Sequence, residues 1–451
     1  MREKWNRQMP LMPEIASHVQ AKELEAISGI IDSKPIIYQL VLQDLCKGRP
    51  ASGRRAGAKG MSAEQVLRAA VALRLYEFTY QELAFHIVDS QSIRRFCRIG
   101  IADKGFKKSV LNKNIKALSE KTWEAINHEL LGYAGEAEIE KGRMARIDCT
   151  VVESNIHEPS DSSLLYDCVR VLSRLQENVR DLGLGPFGYH DHRRVTKKRM
   201  VKIQYARKDA DRLRAYRDLI KYTRKSLASA RAAIALLGNA GADNMAALNL
   251  FLQLEHFVGL TERIIDQTER RVIKGEKVPA SEKVVSIFEE HTDIIVKDRR
   301  DTFFGHKICL TGGKSNLILD CQIVEGNPAD VTLTETMLDR QQQIYGQYPL
   351  KAALDGGFAS KANLKIAKGK GIKDVCFAKK RGLDTLEMCR SEYVYKRLRR
   401  FRAGIESGIS WLKRSFGLTR CTWKGWRSFK SYVWASIVSA NLLTIARKQL
   451  A

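Results

Sequence analysis

No stretch of this sequence approaches the ~18 consecutive apolar residues that a membrane-spanning helix requires. Nor do its first residues, Met1-Arg-Glu-Lys-Trp-Asn-Arg, lead into the apolar core of a secretory signal, so a cytoplasmic protein is expected. Cysteines at zinc-ligand spacing are missing as well. The nine cysteines (Cys46, Cys97, Cys149, Cys168, Cys309, Cys321, Cys376, Cys389 and Cys421) are odd in number, include no Cys-x2-Cys and sit in apolar surroundings. They read as reduced, buried thiols rather than as a metal centre. Negative charge is in deficit: 51 Asp and Glu face 77 Lys and Arg, for a net charge of +26. A field of that sign favours a polyanionic partner, because bound cations release condensed counterions from a nucleic-acid backbone. A cationic protein lying on a membrane surface carries the same balance and stays as the alternative at this point. With 451 residues there is room for two or three domains.

In the N-terminal part, Ile27, Ile30, Ile31 and the apolar positions of 36–45 predict one or two helices. Residues 48–60 are rich in Gly and Arg without apolar periodicity, which reads as a basic loop able to follow phosphates or to act as a solvated linker. Ser62, three residues ahead of Gln65, caps a helix expected to run to about Glu77. Residues 79–96 have the pattern helix, short turn, helix. The second of these helices carries Gln91, Ser92, Arg94, Arg95 and Arg98, side chains that could reach bases or phosphates in a major groove. A helical hairpin with merely solvated arginines would look the same. Leu111, Ile115, Leu118, Trp123, Ile126 and Leu130 predict one further helix, closing an all-helical N-terminal domain over residues 1–135.

A strand is expected over 144–152, with Asp148, a poor strand residue, in its middle and Cys149 turned to the opposite, core-facing side. Between Asp148 and Asp355 lie 206 residues, more than the strands there need, so a helical insertion is expected at about 160–290. Its middle reads as two long antiparallel helices broken at 238–244. The insertion is either a spacer or a DNA-clamping or subunit-contact arm, the latter favoured by His190-Asp-His-Arg-Arg-Val-Thr-Lys-Lys-Arg. Strands return at 294–297, 304–311 and 317–324. Another short apolar run ends in Asp355-Gly-Gly, where the chain must turn sharply, and strand ends of α/β sheets are where sites are built. The basic run Lys379-Lys380-Arg381 follows the next strand. In residues 402–416, Ile405, Ile409, Leu412 and Phe416 mark a buried helical face, while Arg402, Glu406 and Lys413 form a second stripe roughly 70° away. A surface salt-bridge ladder and an active-site edge both fit that stripe. Residues 428–448 are expected to form an apolar closing helix.

Asp148-Cys-Thr-Val-Val-Glu-Ser-Asn, Asp355-Gly-Gly-Phe and Arg402-x3-Glu406-x6-Lys413 together resemble the three motif regions of bacterial insertion-sequence transposases with a DDE triad. One position departs from that pattern: Arg399 stands where the family usually has a tyrosine, with Tyr395 one turn earlier. The resemblance implies a mixed α/β fold, an RNase H-like catalytic domain over 140–451 interrupted by the helical insertion and preceded by a DNA-binding domain. It implies Asp148, Asp355 and Glu406 as catalytic and metal-binding residues, with Mg²⁺ as cofactor and Mn²⁺ as its substitute. Arg402 and Lys413 would contact phosphates beside the cut; Arg94, Arg95, Lys379 and Lys380 are the further DNA-binding candidates. The implied partners are double-stranded DNA, as inverted-repeat ends and target, and a second copy of the chain on that DNA, in a nucleoid-associated protein. A transposase-derived regulator without catalysis and an RNase H-like nuclease without strand transfer are the alternatives.

Overall fold

The structure, a computed structural model, describes residues 18–47, 60–100, 102–239, 244–297 and 301–451. The basic loop expected at 48–60 lies outside these, Gly60 excepted. The chain divides into two units, Met1–Glu153 with His306–Ala451, and Ser154–Gly305.

The N-terminal segment forms α1 (Val19–Asp32), α2 (Ile36–Cys46), α3 (Ala63–Leu75), α4 (Tyr80–Asp89), α5 (Gln91–Phe96), α6 (Lys108–Ile115) and α7 (Glu120–Glu136). Reciprocal capping boxes start two of them, Ser62 with Gln65 and Thr79 with Glu82, satisfying amides that a bare helix end would leave open. The single helix expected after Leu111 is instead α6 and α7. Ser119 ends the run: its hydroxyl accepts from the Thr122 amide, while its own N–H and hydroxyl donate to the buried Asp44 carboxylate. The expected hairpin exists, but only Ser90 separates its helices and α5 has six residues. Arg98, at φ 53°, closes α5 with a bond from the Ile99 amide to the Arg94 carbonyl. Strand β1 (Met144–Glu153) follows.

The second unit contains α8 (Asp161–Asp181), α9 (Arg193–Tyr205), α10 (Asp209–Gly238), α11 (Met245–Thr268) and β2 (Asp293–Lys297). Ion pairs Arg224–Glu269 and Arg231–Glu262 descend one helix as they climb the other, so α10 and the C-terminal part of α11 run antiparallel, as the sequence leads one to expect. Leu219, Leu227, Ala230, Leu254 and Ile264 share an apolar core with Leu165 and Leu172 of α8. In this unit β2 pairs antiparallel with the first residues of β3 (Asp301–Gly312), from Asp293 opposite Gly305 to Lys297 opposite Asp301.

From His306 onward β3 belongs to the first unit, which continues with β4 (Ile318–Val324), α12 (Thr334–Tyr345), β5 (Lys351–Leu354), α13 (Lys361–Gly369), β6 (Asp374–Phe377), α14 (Thr385–Met388), α15 (Glu392–Ser415) and α16 (Trp426–Leu450). Its strands lie in the order β4-β3-β1-β5-β6. β3 and β4 are antiparallel, whereas β1, β5 and β6 are parallel. The closing helix α16 is buried along most of its length, and its core residues are continuous with those of α1, α3 and α7. Asn441 fixes this arrangement: it donates to Asn127 Oδ1 and to the Ile318 carbonyl, both at 2.7 Å, and accepts from the Ile318 amide at 2.9 Å. A buried amide with every bond made specifies one register of helix against strand.

Candidate active site

Two parallel strands set the first half of the site. Along β1 and β5 the paired residues run from Met144 opposite Lys351 to Ile147 opposite Leu354. The next residues are Asp148, in the middle of β1, and Asp355, just past the end of β5, which therefore stand side by side with 206 residues between them in the chain. Cys149 turns the other way, as alternation requires, and packs on the core beside Cys309, whose thiol is pushed up by burial and by the Cys149 hydrogen bond.

Helix α15 supplies the second half. Ile405, Leu412 and Phe416 are buried and Ile409 packs half-buried against the same core, so one face is fixed to the first unit. The neighbouring stripe then faces the aspartates. The Arg402 guanidinium donates through Nη2 to Asp148 Oδ2 at 3.1 Å and to Asp355 Oδ1 at 2.6 Å, and through Nη1 to Glu406 Oε1 at 2.6 Å. A surface ladder would leave its members in water. Here the Arg402 and Asp148 side chains are only 13% and 14% exposed, whereas Glu406 is 59% exposed. The Arg402–Glu406 pair alone has the character of a solvent pair worth ~0–1 kcal/mol. Three acids from three distant segments thus converge on one cation.

The donor set is all carboxylate oxygen, the chemistry a hard divalent cation such as Mg²⁺ prefers. Among the described residues no group of three His, Cys, Asp or Glu lies close enough to hold an ion. Arg402 stands between the acids, paired with all three. Its Nε is buried without a hydrogen-bond partner among the described residues, so the guanidinium is not fully satisfied in this position. In donor type and direction the acids fit a metal; their spacing is set by a guanidinium.

Sequence reasoning missed what holds α15 there. Arg146 lies two residues before Asp148 on the same face of β1 and is 5% exposed. It donates to the Phe401 carbonyl at 3.1 Å and to Asn316 Oδ1 at 2.6 Å, and its guanidinium lies 5.0 Å from the Phe401 ring centroid. Burial lowers its pKa. Gly404 makes room for it, since a Cβ there would overlap Arg146 Nη1. Strand alternation from Asp148 was the one available signal. Gly356 and Gly357 also differ from expectation: neither takes positive φ, and the pair forms a 3-10 turn instead. A Cβ on Gly356 would meet the Lys379 stem at 2.8 Å, and one on Gly357 would meet Asp330 Oδ2 at 2.8 Å. These glycines are needed for close approach next to Asp355, which also brings in Asp330 and its partner Lys307 at 2.9 Å.

Of the other candidates, Lys379 is exposed and its stem lies against Gly356. Lys380 is directed elsewhere, bonded to the Thr385 hydroxyl and 5.2 Å from the Tyr395 ring centroid. Tyr395 is buried and donates to the Phe377 carbonyl at 3.0 Å, so it braces α15 on β6, while Arg399 is exposed. Lys413 is half-buried on α15, seven residues past Glu406, about 10 Å along the axis at ~1.5 Å per residue. In the N-terminal helices, Arg94 donates to the carbonyls of Val88, Gly100 and Asp103, and Arg98 pairs with Asp32 and Glu64. Arg95 is 62% exposed, with Glu25 at 3.4 Å.

Two family models match the chain, Transposase DDE domain over residues 263–442 and Transposase domain (DUF772) over residues 14–117. These two domains indicate a transposase. Together the two matched domains support a DDE transposase of the insertion-sequence type. The first match includes Asp355, Arg402, Glu406 and Lys413; Asp148 lies outside it and joins the site through the β1–β5 register. No curated protein and no solved structure matches the chain. No helix among the described residues is long and apolar enough to cross a membrane.

Proposed function

We propose that this transposase binds the inverted-repeat ends of its own element and cuts and joins DNA strands at a site made by Asp148, Asp355 and Glu406. The observation that carries this reading is the convergence of those three carboxylates, from two parallel strands and a helix, on one cationic point. The strand order β4-β3-β1-β5-β6, with an antiparallel hairpin on one side and parallel strands on the other, supports an RNase H-like catalytic core. Asp148, Asp355 and Glu406 would hold Mg²⁺, or Mn²⁺ in its place. Such ions, when held there, would supply Lewis acidity towards a water or DNA 3′-hydroxyl nucleophile and towards the leaving oxygen. The chain's own part is placement. Arg146 fixes the Phe401 carbonyl, and with it the pitch of α15, so that Glu406 faces the strand ends. Lys379, whose stem lies against Gly356 beside Asp355, and Lys413 are the candidates to contact phosphate, and no protein nucleophile is required. Two element ends call for two copies of the chain.

The test is to incubate the full chain and Mg²⁺ with a duplex carrying the DNA that flanks its gene, and with a random duplex. Cleavage at the element boundary followed by joining to a target plasmid is expected. Binding without cleavage would leave a regulator, and cleavage without joining a nuclease.

Helix α9 supports the DNA reading from within the second unit. Arg193 and Arg199 are paired with acids, but Arg194, Lys197, Lys198 and Lys202 are exposed on one face together with Tyr205, while Thr196 and Ile203 are buried on the other. The helix contains no acid and extends about 20 Å, enough to follow several phosphates. Replacing these four cations by Ala is expected to reduce the log–log salt slope of DNA binding by about 0.9 for each phosphate that is no longer neutralised. An unchanged slope in a filter-binding titration would make this face a solvated one.

Arg95→Ala is expected to weaken end binding in a mobility-shift assay with no change in melting temperature. Arg94→Ala should instead lower the melting temperature, because the Gly100 and Asp103 carbonyls lose the guanidinium that binds them. An Arg95→Ala protein that binds as wild type would remove this residue from the interface.

A further inference from the structure

We propose that Arg402 is a built-in competitor of the divalent cation: its guanidinium fills the point on which Asp148, Asp355 and Glu406 converge, and it must leave before metal can enter. The inference rests on the metal-site reading of the three acids. Three carboxylates gathered without a cation repel one another, and here one guanidinium neutralises them through ion pairs of 2.6 to 3.1 Å. The side chain is 13% exposed, so this is an interior position and not a chance surface contact. While it is occupied, no three acids among the described residues are close enough to hold an ion. Guanidinium and metal therefore exclude each other.

The geometry also shows why Arg402 can give way. Its Nε is buried with no hydrogen-bond partner among the described residues, a penalty that departure relieves. The Asp355 and Glu406 side chains, 35% and 59% exposed, leave the solvent side of the pairing open. A planar fork that binds carboxylates in pairs binds phosphate oxygens equally well. The phosphate contact expected of Arg402 and the ion pairs observed here are thus alternative uses of one side chain. By linkage, metal entry and phosphate capture by Arg402 favour each other.

Mn²⁺ titration of the DNA-free full chain, followed by electron paramagnetic resonance and by thermal melting, tests this without any turnover. A site whose competent form is a minority binds more weakly by that fraction, so if the guanidinium fills it in ~90% of molecules, Arg402→Ala should tighten Mn²⁺ binding about tenfold. The metal-free melting temperature of Arg402→Ala should fall, and saturating Mn²⁺ should raise it by more than it raises the wild type. Arg402→Lys, which keeps the charge but loses the fork, should lie between. Unchanged or weaker Mn²⁺ binding in Arg402→Ala would overturn the proposal and make Arg402 a support for the acids. Failure of the metal-site reading has a different signature: Mn²⁺ uptake that ignores Asp148→Asn, with or without the Arg402 substitution, which would overturn the inference along with its premise.

Discussion

Asp148→Asn and Asp355→Asn, made separately, are expected to abolish Mg²⁺-dependent cleavage while leaving the protein folded and able to bind DNA. Each change keeps the side-chain volume and removes one negative charge, from the middle of β1 or from just past the end of β5. Arg402 retains two carboxylate partners in either variant, so no buried guanidinium is left without compensation. The metal site would lose one of its two strand-borne ligands. A loss of at least about 4 kcal/mol of transition-state stabilisation, roughly 10³-fold in rate, is expected. Single-turnover cleavage of an end-bearing duplex measures it, with melting temperature and duplex affinity as controls. A folded Asp148→Asn protein that cleaves at the wild-type rate would take this residue out of the site and leave the β1–β5 register without functional meaning.

Two glycines on α15 should respond to the same substitution with opposite sign. Gly404→Ala places a methyl group where Arg146 Nη1 lies, and Arg146 is 5% exposed with bonds to the Phe401 carbonyl and Asn316. Either the helix shifts or the buried guanidinium loses partners, which costs about 3 kcal/mol or more. Because Arg402 and Glu406 ride on that helix, cleavage should fall with stability. Gly408 has nothing within 4 Å of its would-be Cβ, so Gly408→Ala should stabilise α15 by roughly 0.5–1 kcal/mol, the helix-propensity difference. Chemical denaturation of both variants checks the pair. A Gly404→Ala protein as stable and active as wild type would mean that Arg146 does not fix the helix.

How much of this was legible beforehand follows from the range of the forces involved. Capping at Ser62, the apolar stripe Ile405, Ile409, Leu412 and Phe416, and the turn of Cys149 to the core side, opposite Asp148, are local, and periodicity with hydrogen-bond chemistry reveals them. The break at Ser119 was hidden because its cause is Asp44, far away in the chain. The Asp-Gly-Gly turn was legible as a turn, but the reason for two glycines was not. That reason is the approach of Lys379 and Asp330, which only the assembled sheet brings about. The engagement of Arg94 and Arg98 likewise depends on the Val88, Gly100 and Asp103 carbonyls, Asp32 and Glu64. The three acids could be picked out by motif, yet nothing in the spacing of Arg402 to Glu406 indicated that the same arginine also reaches both aspartates. Arg146, a basic residue in a strand with no motif of its own, was invisible for the same reason.

The central claim, that Asp148, Asp355 and Glu406 form one metal-binding site, is tested most directly by iron-directed cleavage of the polypeptide. Fe²⁺ exchanged into the full chain with ascorbate generates radicals that cut the backbone close to the bound ion. The account predicts cuts clustered near residues 148, 355 and 406 together, suppressed by excess Mg²⁺ and lost in Asp148→Asn. Cuts confined to other segments, or a pattern unaffected by Mg²⁺ and by Asp148→Asn, would contradict it.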